Sequence, residues 1–163
     1  MTFHWGDLQS LTGKQGAAQA AGALLMRGTT KHTRQQLQDE QDRLKSQIRV
    51  QGALAGATAS VNTVRAGLVE SLKLIAEILQ SPTFPEADFD ETQRANIARI
   101  EGSKSEPATI AGTARNKHVN RYPLDDPRST LTPDEQIARL RATTLDQAKQ
   151  FYKDFYGASS GEI

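Results

Sequence analysis

The fold is decided by residues 15–29, which read Gln-Gly-Ala-Ala-Gln-Ala-Ala-Gly-Ala-Leu-Leu-Met-Arg-Gly-Thr. Alanine is the strongest helix former, and small side chains let neighbouring elements approach closely, so the stretch predicts a buried helix. Gly28 is placed to end this helix in the left-handed conformation. No side chain from Gln15 to Met26 can act as an acid, a base, a nucleophile or a strong metal ligand.

Composition narrows the class of protein. The chain has 163 residues, enough for one domain with its own core. Its 20 lysines and arginines and 19 acidic residues leave a net charge of +1, so we expect no nucleic-acid partner. The absence of cysteine excludes disulfides, thiol catalysis and thiolate zinc sites. No apolar run approaches the roughly 18 residues of a membrane span, so we expect no membrane contact. The first residues do not follow the plan of a signal peptide.

Outward from the small-residue helix, the pattern predicts blocks of strands and helices. The predicted strands are 2–6, 47–51, 58–64 and one that begins near 161, and the predicted helices are 34–45, 67–80, one from 85, 107–119, one from 133 and 145–156. Residues 8–14 and 52–56 are expected to be loops, although 47–51 and 58–64 should pair as an antiparallel hairpin. The fold class is therefore α+β, with helices on one face of a mostly antiparallel sheet.

Local signals mark where several helices begin. Thr33 with Gln36 forms a capping-box pattern, and Thr132 is followed by Pro133 and a glutamate at the third helical position. Pro85 is expected at the first position of its helix. Because a strand is starting where the sequence stops, we expect residues 1–163 to be one domain of a longer chain, truncated at its C-terminal strand.

The groups that usually carry chemistry are scattered. His4, His32 and His118 fall on different predicted elements, and none stands in a zinc-binding helix motif, so we interpret them as structural or surface residues. Gly13-Lys14 does not open a phosphate-binding loop, because the glycine five positions earlier and the following hydroxyl residue are both absent. The acidic residues that might have paired for catalysis are Glu101, Glu106, Asp125 and Asp126, and their spacing favours solvated loops.

Four phrases of the sequence carry a family resemblance. They are Leu24–Thr29, Leu72–Phe84, Asn120–Leu124 and Thr143–Gly157. In this order and spacing, over nearly the whole chain, they resemble the insulinase/pitrilysin family of zinc peptidases, which includes the mitochondrial processing peptidases. The resemblance implies a repeat domain of that family.

In active domains of that family, an inverted motif His-x-x-Glu-His precedes the Gly-Thr pair, and it binds zinc and polarises water. Here the two histidine positions are Gln19 and Ala23, and the glutamate position is Gly22. Glu91 and Glu101 lie in the region of the family's third zinc ligand. The resemblance therefore implies no catalytic residue, no metal ligand and no cofactor-binding residue in this segment.

A second family feature, an arginine and a tyrosine that hold the substrate carbonyl, is also missing, because the adjacent Arg121 and Tyr122 belong to a different phrase. The opening Gly6-Asp7 and Ser10-Leu11 look most like a zinc-free repeat from the second half of a long bacterial member. Such a member normally continues with a further strand and helix.

The function implied is that of a non-catalytic, structural and substrate-enclosing domain of a zinc metalloendopeptidase, with zinc and peptide hydrolysis in another domain. The expected partners are other domains of the parent chain and its peptide substrate, for which strand 57–64 is the candidate edge. A homodimer that forms through an open edge of the sheet remains an alternative.

The expected compartment is the periplasm, and otherwise the cytoplasm. The alternative is a scaffold or assembly subunit without a peptidase partner in the same chain. Catalysis by this segment itself is the least supported of the three hypotheses.

Overall fold

The computed structural model describes residues 1–157 and 161–162. The strands are β1 Thr2–His4, β2 Ser46–Ala53, β3 Gly56–Thr63 and β4 Gly161–Glu162. The helices are α1 Leu8–Leu11, α2 Gln15–Leu24, α3 Arg34–Arg43, α4 Leu68–Gln80, α5 Glu86–Ser103, α6 Pro107–Val119, α7 Pro133–Ala142 and α8 Leu145–Phe155. Short 3₁₀ turns at Leu25–Arg27 and Arg65–Gly67 follow α2 and precede α4.

The four strands form one antiparallel sheet in the order β2-β3-β1-β4. Strands β2 and β3 pair along their full length as a hairpin, from Ser46 opposite Thr63 to Ala53 opposite Gly56. Side chains along β2 alternate, with Ile48 and Val50 buried and Gln47, Arg49 and Gln51 exposed. One face of the sheet is therefore covered and the other faces solvent, which confirms the predicted α+β class.

Helices α2 and α4 lie on the covered face of the sheet, and α8 packs against α2. The core has two lobes. The first lies between α4 and the sheet and is centred on Leu25, Ile75 and Ile78. The second lies between α2 and α8 and includes Ala21 and Phe151. Helix α2 contributes to the second lobe, and the 3₁₀ turn after it contributes to the first, so this segment joins the two.

The predicted helix starts are confirmed where a side-chain cap defines them. Thr33, Thr132 and Thr144 each accept a hydrogen bond from a backbone N–H in the first turn, in reciprocal capping boxes. Capping satisfies backbone donors that have no partner inside the helix. Pro85 differs from expectation. It is the N-cap residue of α5, and the helix begins at Glu86.

Two predicted loops are wrong. Residues 8–14 contain α1, because Asp7 caps it and accepts a hydrogen bond of 2.8 Å from the backbone N–H of Ser10. Residues 52–56 do not form a long loop, since β2 runs to Ala53 and β3 begins at Gly56. The hairpin therefore turns through two residues, Leu54 and Ala55, which carry no composition signal for a tight turn.

The end of α2 also differs from the prediction. The α-helix stops at Leu24 and tightens into the 3₁₀ turn, after which Gly28 has φ 152° and ψ 155°. This is a positive φ that favours glycine, as expected, but it is an extended conformation and not the left-handed helical one. The chain therefore leaves the helix directly as an extended segment, and Thr29 and Pro82 form an isolated bridge.

Ile78 provides a test of the lobe between α4 and the sheet, because its side chain is 0% exposed. We expect Ile78→Ala to lower the free energy of unfolding by about 3 kcal/mol, since it removes buried methyl groups and leaves a cavity. The matched control on the same helix is Val69→Ala, where the side chain is 63% exposed. This change should cost less than about 0.5 kcal/mol in urea denaturation. Equal costs would show that α4 buries a different face.

Candidate functional site

The residues at the family's zinc-motif positions lie on the outer face of α2. Gln19 and Ala23 are exposed, Ala20 and Gly22 are half-buried, and Ala21 is fully buried in the core. Gln19 and Ala23 stand one helical turn apart on the same face, as two ligands on a helix would. An amide and a methyl group are not zinc ligands of the usual kind.

The glutamate position is closed by the backbone of β2. A Cβ atom on Gly22 would lie 2.5 Å from the carbonyl oxygen and 2.8 Å from the carbonyl carbon of Gly52. A Cβ atom on Gly52 would in turn lie 2.7 Å from the Cα of Gly22 and 1.9 Å from the hydroxyl oxygen of Tyr156. These distances are shorter than real Cβ contacts, so helix and strand meet backbone to backbone. A glutamate has no room at this point.

The hydroxyl of Tyr156 covers the other side of Gly52. This hydroxyl is buried without a hydrogen-bond partner among the described residues. The centroid of the Tyr156 ring lies 4.4 Å from that of the Trp5 ring. Burial raises the pKa of the Tyr156 phenol well above its ordinary value. This tyrosine therefore stays neutral and packs as a large, mostly apolar side chain.

The face of α5 that lies against α2 supplies no metal ligand either. Phe89, Gln93 and Asn96 line the same depression as Gln19 and Ala23. Neither Glu91 nor Glu101 lines that depression, and Glu101 Oε1 lies 3.5 Å from Arg141 Nη2. Within residues 1–157 and 161–162, no group of three or more His, Asp or Glu side chains is arranged to hold a metal ion. The residues present do not fit a zinc ion.

The three histidines are placed separately, and His32 belongs to a small polar cluster. Its Nδ1 lies 2.8 Å from Glu77 Oε1, and the Thr29 hydroxyl donates to the same carboxylate oxygen. The backbone N–H of His32 donates to the Thr29 hydroxyl at 2.9 Å. These bonds tie the loop after α2 to α4. No sequence signal pairs His32 with Glu77, because 45 residues separate them.

Glu77 is held ionised by this cluster. Burial favours the neutral form, but hydrogen bonds from Thr29 and His32 and the charges of His32 and Lys31 outweigh it, so the pKa of Glu77 is lowered. Every member of the cluster has a structural partner. We therefore interpret this cluster as a latch that fixes the loop after α2 to α4.

The strand expected to receive a peptide is not an edge. β3, which contains most of 57–64, lies between β2 and β1. It pairs with β2 along its full length, whereas β1 pairs only with Gly56–Thr58, and the N–H of Ala59 donates to the carbonyl of Met1. The expectation is therefore wrong for residues 57–59, because the sequence does not show that β1 pairs with β3. For the rest of the strand it stays a prediction. The edges of the described sheet are β2 and β4.

The edge of β2 is partly closed as well. The backbone N–H of Ile48 donates to Gln41 Oε1 at 2.9 Å, and that of Val50 donates to Met26 Sδ at 3.3 Å. These two donors point away from β3 and would otherwise pair with an added strand. Side chains of α3 and of the 3₁₀ turn therefore protect this edge.

Comparison with solved structures places this geometry among peptidase domains. The peptidase M16 inactive domain from Pseudomonas fluorescens superposes with a TM-score of 0.73 and 22% identity, over 93% of this chain and 36% of that one. This chain has the fold of an M16 inactive domain. A protease from Helicobacter pylori matches with a TM-score of 0.70 and 19% identity, over 95% of this chain and 37% of that one.

The periplasmic protease PqqL from Escherichia coli matches with a TM-score of 0.69 and 14% identity, over 95% of this chain and 18% of that one. The chain thus spans about a third or less of the length of these three proteins. No family model and no curated protein matches the sequence. At these identities the likeness concerns the fold alone, and it agrees with the repeat-domain fold that the four phrases implied. No helix in the described part of the chain is long and apolar enough to cross a membrane.

Gly22 tests the closed contact between α2 and β2. We expect Gly22→Ala to lower the free energy of unfolding by about 2 kcal/mol, because the added methyl group must push the helix away from the backbone of Gly52. Gly112, on α6, is the matched control, since a Cβ there would meet nothing within 4 Å. Gly112→Ala should raise stability by about 0.5–1 kcal/mol through helix propensity. Urea denaturation of both variants checks the pair, and stabilisation by Gly22→Ala would contradict the closed contact.

Glu77 gives a prediction on pH. Because its pKa is lowered in the folded protein, its contribution to stability is complete above its unfolded pKa and is lost as the pH falls through the folded value. We expect Glu77→Gln to be less stable than the parent at pH 7, and the difference to shrink below about pH 4.5. Denaturation curves at several pH values measure this. A difference that is constant with pH would show that the carboxylate charge has no role in the latch.

Proposed function

We propose that this chain is a non-catalytic, substrate-enclosing domain of a peptidase whose zinc ion and catalytic residues lie in another domain. The observation that carries the proposal is the contact of Gly22 with Gly52. At the position where a peptidase of this fold needs a glutamate, the helix meets the strand directly. The domain keeps the helix and sheet of the catalytic architecture, and it uses them for packing.

The proposed partners are the other domains of a longer parent chain and the peptide that the parent cleaves. An apolar depression of about 440 Å³ supports a domain contact. Phe3, Trp5, Leu72 and Leu79 are among the residues that line it, beneath β1 and beside α4. On α6, Ile110 and Val119 are also more than half exposed. Apolar surface of this kind is commonly covered by a neighbouring domain or subunit.

The second candidate is a scaffold or assembly domain in a chain without any peptidase site. The same apolar depression favours it, since a scaffold also needs a contact surface. We further propose a periplasmic location, supported by the likeness to PqqL, which is described as a periplasmic protease. The absence of cysteine agrees with either the periplasm or the cytoplasm.

Metal content and peptide cleavage test the proposed function together. The purified chain should contain no stoichiometric zinc after dialysis against a zinc buffer, and it should not cleave unfolded casein, because α2 offers no ligand pair and no base. One zinc ion per chain, with casein cleavage that a chelator abolishes, would overturn the proposal. The protein encoded by the complete gene separates the two candidates, since zinc-dependent cleavage supports the enclosing domain and inactivity supports the scaffold.

A further inference from the structure

The outer face of α2 forms the floor of a longer groove with an uneven distribution of charge. Three adjoining depressions share Gln19. One end of the groove is lined by Arg27 and Arg34, and the other by Arg99 and Arg139. No described aspartate or glutamate lines any of the three depressions. We call this surface the arginine groove.

The arginines at both ends retain free charge. Arg27 and Arg34 share a single carboxylate, Asp88, and each lies 3.7 Å from the same oxygen. That distance is beyond a normal hydrogen bond, so the guanidinium donors stay available. At the other end, Arg139 Nη2 donates to the carbonyl of Leu124 at 2.6 Å. Neither Arg99 nor Arg139 lies in an ion pair with a described carboxylate.

The nearest acid on α7 neutralises this end only in part. Glu135 stands one turn before Arg139 and its charge acts on Arg139, but its carboxylate also pairs with Lys117 Nζ at 2.7 Å. Four guanidinium groups and Lys117 therefore share two carboxylates, those of Asp88 and Glu135. Because the chain as a whole has a net charge of only +1, this positive surface is a local feature and not a property of the composition.

Between the two ends, the lining is neutral and suited to a polypeptide backbone. Gln19 is exposed and Asn96 is half-exposed in the middle, and Gln51 is exposed toward the end that Arg27 and Arg34 line. A carboxamide can both donate to a carbonyl and accept from an N–H, which matches the groups of a peptide unit. From Gln19 to Arg27 the floor extends about 12 Å at the rise of a helix, the length of about four residues of extended chain.

We propose that the arginine groove binds an extended acidic segment of a polypeptide, with ion pairs at the two ends and amide hydrogen bonds between them. This inference rests on the proposed function, because it names the class of segment that the enclosing domain contacts. We do not expect the segment to add to β2 as a new strand, because the N–H groups of Ile48 and Val50 at that edge already donate to side chains.

Fluorescence polarisation at low ionic strength tests the proposal directly. The probe is a fluorescein-labelled ten-residue peptide with four glutamates separated by serine and glycine, and the reference peptide has lysine at the same four positions. The glutamate peptide should bind at least about tenfold more tightly, and its affinity should fall as salt is added. Equal binding of the lysine peptide, or no binding of the glutamate peptide, would overturn the proposal.

Two double variants separate the groove from the overall charge. Arg34→Gln with Arg99→Gln removes one exposed arginine from each end, and we expect the glutamate peptide to bind about fivefold more weakly. The control, Arg49→Gln with Arg65→Gln, removes the same charge from exposed positions outside the groove, and it should change the affinity less than about twofold. Thermal unfolding of both variants checks that they stay folded. Equal weakening by the two variants would contradict a specific groove.

A single-stranded DNA of ten nucleotides is the competing polyanion. If it bound more tightly than the glutamate peptide, the groove would be a general anion surface, and the acidic-peptide assignment would be wrong. These outcomes are independent of zinc content and casein cleavage. The groove proposal can therefore fail while the non-catalytic function stands, and zinc-dependent cleavage would overturn the proposed function whatever the peptide result.

Discussion

The backbone contact between Gly22 and Gly52 is the constraint on which the rest of the structure depends. It brings α2 onto β2 with no side chain between them, and this places Ala21 in the core and Gln19 and Ala23 on the surface. Tyr156 then closes over Gly52 from the end of α8. Close packing of this kind admits little extra volume, so the three elements fix one another.

The same contact is the structural basis of the proposed non-catalytic function. In a catalytic helix of this type, a base must stand beside two metal-binding side chains. Here the backbone of Gly52 excludes a side chain at the position of the base, Gly22, and the exposed side chains at the two ligand positions, Gln19 and Ala23, are neutral. The charge of this region is consequently set by its surroundings, chiefly Arg27 and Arg34 at one end and Arg99 at the other.

Features that arise from local interactions were predictable from the sequence. Thr33, Thr132 and Thr144 cap their helices through residues three positions away, and that spacing can be read directly. The predicted helix 67–80 likewise lies within one residue of α4, Leu68–Gln80. The helix at Leu8–Leu11 escaped prediction because it is only one turn long and rests on the Asp7 cap.

Features that depend on distant pairing could not be predicted. The sequence shows that β2 and β3 alternate, but it does not show that β1 inserts beside β3, with Thr2 opposite Thr58. The candidate peptide edge was wrong over residues 57–59 for this reason. The residue types at the zinc-motif positions were evident, whereas the closure of that space requires Gly22 and Gly52 to meet across 30 positions of sequence.

Native-state hydrogen exchange of α2 tests the central claim most directly. If this helix is a packing element locked onto β2, its buried amides, such as those of Ala21 and Leu24, should exchange only through global unfolding. Their exchange free energy should then equal the unfolding free energy from urea denaturation and match that of the amides that pair β2 with β3. Exchange of the α2 amides at a clearly lower free energy than those of the hairpin would contradict the account, because it would show a helix that opens independently of the sheet.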